Sequence, residues 1–315
     1  MPLSLRRGRV TAVLERAEGL ARLEVDAVPC VAYPRVTGPV GVGDDVLVNT
    51  QARELGLGSG GFDVLYANLT RGLGLKPDPD AHVMTLPYTP LQAAVRHVEE
   101  DAPLADTLDG LPVVCCSLHS QVAPVCAGIG AGVRVAYVQL PGGALPVSVS
   151  DAVRALKRRG LLETAIAAGP CVDGDVQCVG IHSALAWAAA AGMDVVVCAI
   201  GPGIIGTGTR WGHGGLAAAN AANAASALGG SPVIAVRRSE RDARVRHRGV
   251  SHHTRAVLDA CLGVVRVAWP EEVGVEGWEE ACGGLPLDYM GRAPAADPSF
   301  FSAAFAAGRL ARSLL

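Results

Sequence analysis

From residue 111 onward the chain alternates short apolar runs with alanine-rich stretches, and few folds accept that pattern. The runs 112–117, 134–140, 163–167, 194–200, 231–236 and 263–268 are built mostly of Val, Ile, Leu, Ala and Cys. A strand without polar alternation is one whose two faces are both covered. Helical stretches near 120–130, 149–159, 180–191, 214–228 and 252–261 lie between the runs and can supply the cover. With right-handed crossovers this alternation predicts an α/β fold with a doubly wound, mostly parallel, Rossmann-like sheet over 111–270. Such sheets bind ligands beyond the carboxyl ends of their strands, so the loops that follow the strands are where function is to be sought.

The residues before this region read differently. Runs at 9–14, 21–25, 31–33, 45–49 and 63–68 predict short strands. They are separated by turns such as Gly38-Pro39 and Gly41-Val-Gly-Asp-Asp45. Residues 1–70 are therefore expected to form a small β-barrel-like module, similar in its turn–strand pattern to OB or SH3-like barrels, with a Gly-rich loop at 55–61. Residues 71–110, with Pro77 and Pro79, read as a connector. It is expected to carry a strand at 82–86 and a helix over 90–101, capped by Thr89 with Pro90 at its first position. The extension 271–315 ends in a helix from about Pro298. Its small residues, Ala303, Ala304, Ala306, Ala307 and Gly308, suit close packing on the domain or a homo-oligomer contact.

Bulk properties exclude several functions. A net charge of -3 over 315 residues, with only Lys76 and Lys157 as lysines, argues against nucleic acid and against a membrane surface. The start of the chain lacks the apolar run of a secretion signal, and the apolar stretch 193–205 is too short to span a bilayer. Nine cysteines, with no Cys-x-x-Cys pair, read as reduced thiols in a cytoplasmic protein.

Five strand ends carry chemistry-bearing residues. The first leads into Leu118-His119-Ser120, where His119 is a candidate acid/base or the pair simply starts a helix. The second leads into Pro141-Gly142-Gly143, read as a plain turn. After the third, Asp173 and Asp175 flank Gly174, and either bind a cation or form Asx turns. The fourth enters a loop with Gly201, Gly203, Gly206, Thr207, Gly208, Thr209 and Arg210, followed by His213. Its glycines expose backbone N–H groups and its threonines add hydroxyls, the composition of an anion cradle. It lacks the Gly-Lys-Ser/Thr of a Walker loop, and no ribose-binding acid follows at dinucleotide spacing. The fifth enters a segment with six arginines, including Arg246 and Arg248, that ends in Ser251-His252-His253-Thr254. Ser251 is the expected cap of the next helix. The adjacent histidines are expected to point one inward and one outward. Histidines from separate loops (119, 213, 252 or 253) converging with Asp175 are a further possible metal set, with the cofactor itself unknown.

Several of these pieces together resemble a bacterial family catalogued as domain of unknown function 3866. They are Leu55-Gly-Leu-Gly58, Leu118-His-Ser120, Ala144-Leu-Pro146, the 201–209 loop, Arg246-His-Arg-Gly-Val-Ser-His-His-Thr254 and Met290-Gly-Arg292. The resemblance spans nearly the whole chain and implies that the Gly/Thr loop and the Arg/His segment form one site, but it implies no reaction. Pro141 and Gln177 stand where the family pattern has Asp and Glu, which puts any chemistry by those acids in doubt.

Two readings stay open. One is an enzyme on a small anionic or phosphorylated substrate. Gly201, Gly203, Gly206, Thr207, Gly208, Thr209, Arg246, Arg248, Ser251 and His253 would bind the substrate, and His119, His252 and Asp175 would act in catalysis. The other is a non-catalytic metabolite- or nucleotide-binding protein using the same loops.

Overall fold

The computed structural model describes residues 2–56 and 61–315. It divides into two compact units, Met1–Asp80 and Ala81–Leu315. The expected loop at 55–61 lies largely outside the described residues.

The first unit is a closed barrel of β1 (Leu5–Ala17), β2 (Leu20–Val25), β3 (Val28–Ala32), β4 (Asp45–Asn49) and β5 (Asp63–Asn68), in the order β1-β2-β3-β5-β4. Pairing is antiparallel except for β3 with β5. Short helices α1 (Pro34–Thr37) and α2 (Gln51–Glu54) bridge its corners. Alternate residues such as Val10, Leu23, Val25, Val46 and Val48 fill the interior. The 41–45 turn owes its shape to buried Asp44, which accepts from the Gly41 amide, Asn68 and Arg71.

The second unit opens with a hairpin, β6 (Val83–Thr85) and β7 (Ala93–Val95). The expected helix over 90–101 is therefore corrected. Thr89 and Pro90 sit in the hairpin's loop, where the Thr89 hydroxyl donates to the Leu86 carbonyl and accepts from the Leu91 amide. Thr-Pro reads alike at a helix start and in a tight loop, and pairing with β6 outweighs the helical preference of Gln92-Ala-Ala.

The sheet comprises β8 (Pro112–Cys116), β9 (Val135–Leu140), β10 (Thr164–Ala168), β11 (Val176–Cys178), β12 (Val195–Ile200), β13 (Ser231–Ala235) and β16 (Arg266–Ala268). The two-residue strands β14 (Arg238–Ser239) and β15 (Gly249–Val250) pair separately. The sheet order is β11-β10-β9-β12-β8-β13-β16, and every pair is parallel. The six predicted strands are all present; the short edge strand β11 was not predicted. The helices are α3 (Val122–Ile129), α4 (Asp151–Arg158), α5 (Ile181–Ala190), α6 (Ala217–Ala227), α7 (His252–Ala260), α8 (Pro270–Val273), α9 (Trp278–Cys282) and α10 (Pro298–Arg312).

Strand residues alternate between two cores. Val114, Cys116 and Tyr137 face α3, α4 and α10, whereas Val113, Cys115 and Val138 face α5 and α6. Both faces are thus covered, as the unbroken apolar runs require. All nine cysteines are unpaired, and all but Cys261 are buried. Among the described residues no helix is long and apolar enough to cross a membrane.

The small residues of α10 are buried inside the chain, which is the first of the two expectations for them, close packing on the domain. A Cβ on Gly308 would lie 2.0 Å from the Val125 carbonyl oxygen, and one on Gly128 would lie 2.2 Å from that of Phe305. Backbones of α3 and α10 touch there, which only glycine permits. Gly308→Ala is expected to lower stability by about 1–3 kcal/mol through overpacking. A denaturant midpoint equal to that of the parent chain would sink this assignment.

Candidate functional site

Strand order explains where the site forms. β12 and β13 flank β8, so the loops leaving their carboxyl ends are neighbours. The loop after β12 runs from Gly201 back to His213 as a closed hairpin. Gly206 pairs with His213, and the Thr207 amide donates to the Gly212 carbonyl. Thr207 and Thr209 hydroxyls bond to one another at 2.9 Å and to the Gly212 backbone. Gly201 is used for close packing, since a Cβ there would lie 2.1 Å from the Ala144 carbonyl oxygen. Gly203 and Gly208 adopt positive φ, at 77° and 86°, which favours glycine. Arg210 ties the loop to α7 through Asp259 at 2.6 Å.

The segment after β13 wraps around a buried ion network. Arg237, at the end of β13, is almost wholly buried. Its guanidinium donates to His253 Nδ1 at 2.7 Å and to the Tyr289 hydroxyl at 2.9 and 3.2 Å. Tyr289 in turn donates to Asp242 at 2.9 Å. Asp242 also receives Arg244 at 3.0 Å and Arg292 at 3.4 Å. Burial works to raise the Asp242 carboxyl, but hydrogen bonds from Arg244 and Tyr289 overcome it and hold the group ionised far below the usual range. Arg292 further reaches Asp297 at 3.2 Å. A turn at Met290-Gly291, both with positive φ, places Tyr289 and Arg292 together.

Four histidines gather above this network. The His213 and His253 rings stack at 3.7 Å, His252 lies 4.4 Å from His253, and His247 lies 4.8 and 4.9 Å from those two. The expectation that His252 and His253 point apart is corrected. Both sit in the first turn of α7, where side chains lean back beyond the helix start and so reach the same space. Ser251 caps α7 by accepting from the His253 amide at 3.1 Å, as expected, and its Oγ also meets His247 Nδ1 at 2.7 Å. Burial lowers the His213 and His252 pKa values. Burial and then Arg237 push His247 down to about 3 and His253 to about 2. All four rings are neutral at physiological pH.

Arg246 closes the arrangement. Its guanidinium lies against Gly208, 3.2 Å from where a Cβ would be, and its charge reaches His252. It is exposed and has no ion pair among the described residues. Arg248 turns away and donates to the Asp242 backbone carbonyl.

Two predicted residues lie elsewhere. Asp175 immediately precedes β11, and therefore lies at the amino ends of the strands. There it pairs with Lys157 and accepts from the Ala165 amide. A role for it beside the histidines is corrected on that ground. His119 does follow β8 but faces α4. It contacts Ser150 Oγ at 2.7 Å and Tyr137 at 3.3 Å, and burial pushes its pKa down to about 4. The metal set of His119 and Asp175 with the other histidines is not assembled. The sequence reading did not single out His247, Arg237, Asp242 or Tyr289. His247 was legible as part of the 246–254 motif, and Tyr289 lies next to the Met290-Gly-Arg292 piece.

The fold is that of an α/β protein in which the loops after β12 and β13 meet at the carboxyl ends of a parallel sheet. The chain belongs to the family described as Protein of unknown function (DUF3866), whose sequence model matches residues 29–282. No curated protein and no solved structure matches it. Tyr289, Arg292 and Asp297 thus complete the site's supporting network from beyond the matched stretch.

Proposed function

We propose that this protein is an enzyme acting on a small anionic or phosphorylated substrate, bound between the 201–213 loop and the 246–253 segment. The observation that carries this reading is Arg246, an ion-pair-free guanidinium set against Gly208 and beside neutral imidazoles. A cation held in place without a counter-charge attracts an anion, and Arg offers forked donors to phosphate or carboxylate. Gly208 leaves room for the approach, while Thr207 and Thr209 brace the loop. His252 is the group suited to moving a proton. Its Nε2 is buried with no partner among the described residues, and burial lowers the ring's pKa, which favours the neutral form.

The supporting carboxylate Asp242 is held by Arg244, Arg292 and Tyr289, and among the described residues no carboxylate joins the group of His247, His252 and His253 to act as a second catalytic group. That observation favours the alternative, a metabolite- or nucleotide-binding protein without turnover. Product formation from a bound phosphorylated compound separates the two.

Thermal stability measured against inorganic phosphate, sugar phosphates and nucleotides tests the shared core of both readings. A ligand at 100 times its dissociation constant should add about 2.7 kcal/mol. Arg246→Ala is expected to weaken that ligand by roughly 1.5–3 kcal/mol. The exposed site should leave the unliganded stability within about 0.5 kcal/mol. An anion response that survives this substitution unchanged would remove Arg246 from the site.

A further inference from the structure

The protons on the histidine cluster follow from hydrogen-bond accounting. Arg237 can only donate. Its contact at 2.7 Å therefore fixes a lone pair on His253 Nδ1, and the ring's proton sits on Nε2. Ser251 is fully buried, and its Oγ already accepts from the His253 amide. The acceptor within reach of its hydroxyl hydrogen is His247 Nδ1 at 2.7 Å, which places the His247 proton on Nε2 as well. Both rings thus present an N–H on the nitrogen left over. His213 is only 7 % exposed, and its ring lies within reach of the Arg210 backbone carbonyl; His252 Nε2 is buried and has no partner among the described residues. Each of these neutral rings carries one further N–H. Buried donors without acceptors are costly, so the cluster calls for a ligand rich in acceptors.

One nitrogen from each of His247, His252 and His253 lies within 4.8 Å of the others, a spacing that would also suit a metal ion. The electrostatics oppose a cation. A ligating nitrogen must carry a lone pair, and its ring normally donates from the other nitrogen to an acceptor. His253 instead faces a guanidinium donor there. Arg237, Arg244 and Arg246 surround the cluster, and Asp242 is already shared among Arg244, Arg292 and Tyr289.

We propose that the histidine cluster is a receptor for a tetrahedral oxyanion of the phosphate class, with the Nε2–H groups of His247 and His253 donating to its oxygens and Arg246 supplying the charge. This rests on the anionic-ligand reading and names the groups that recognise the anion. Neutral imidazoles fixed as donors stabilise negative charge without giving up a proton.

The test is imidazole NMR on the ¹⁵N-labelled full chain between pH 6 and 8, with His247→Gln and His253→Gln to assign the rings. Both are expected to show the Nε2–H pattern, constant with pH. Inorganic phosphate and a simple phosphate monoester should move both, acetate should move them less, and zinc should leave their protons in place. A preference for the monoester would identify a phosphorylated metabolite rather than free phosphate as the ligand. His253→Ala is expected to weaken phosphate about tenfold, whereas His253→Gln, which keeps an N–H at similar reach, should retain most of the affinity. An Nδ1–H pattern in either ring, or zinc displacing the Nε2 protons, overturns the proposal. So does a phosphate response that depends on Arg246 but leaves both rings unmoved, and in that case the anionic-ligand reading survives. Rings as expected with no response to any anion would instead defeat both.

Discussion

Acidification from pH 7.5 to pH 4.5 is expected to destabilise the α/β unit steeply, with the onset near pH 6.5. Buried His247, His253 and half-buried His119 have pKa values pushed down to about 3, 2 and 4. In the unfolded chain histidine titrates near 6.5. Above that pH neither state holds these protons and the stability is fully present. As pH falls below it, the unfolded chain takes up protons that the folded chain refuses, so stability is lost until the folded pKa values are reached. Each proton contributes about 1.4 kcal/mol per pH unit, so three together approach about 4 kcal/mol per unit at most. Denaturant midpoints measured across this range check it. A flat profile between pH 6.5 and 4.5 would mean that these rings are not held neutral. His253→Gln, which removes one of the three titrations, should make the slope shallower by about one proton's worth.

Asp242→Asn is expected to be the most damaging single substitution, by about 3–5 kcal/mol. The carboxylate is the counter-charge for Arg244 and Arg292 and holds Tyr289, whose hydroxyl in turn receives Arg237. The amide keeps the shape but leaves a buried guanidinium without compensation. The substitution should also free Arg237 to shift from His253 and so disturb the cluster. Urea unfolding reads the first effect, and the imidazole spectra read the second. A loss under 1 kcal/mol would show that water, rather than Asp242, balances these cations. Tyr289→Phe, which removes the hydroxyl between Arg237 and Asp242 and keeps the ring stacked on Phe300, should fall between this variant and the parent chain.

The histidine cluster also shows how far local pattern reaches. The 246–254 motif placed Ser251 at a helix start, and the structure puts it there with its cap bond formed. The same reasoning expected one of His252 and His253 to face outward, because it treated a helix start like a helix interior. Asp175 misled in a different way. Its neighbours in sequence are a Gly-rich strand exit, but the chain turns back at once to begin β11, carrying the carboxylate to the other end of the sheet. The Thr89-Pro90 start gave a helix in sequence and a loop in space for want of any local sign of the β6–β7 pairing.

The sequence by itself determined the strands of the barrel, six of the seven strands of the parallel sheet, the helices between them and the terminal helix. It also determined that the sheet is covered on both faces, and that the loops after β12 and β13 carry the unusual residues. Those features depend on side-chain periodicity and turn chemistry, which act over a few residues. Only the tertiary structure decided that β12 and β13 flank β8, that His119 faces α4, and that Tyr289 and Arg292 return from the end of the chain to hold Arg237 and Asp242. These outcomes depend on strand order and on contacts between residues far apart in the chain. The contact of Arg237 with His253 is of the same kind, and it bears on that ring's proton because a histidine's tautomer is set by the partner it meets.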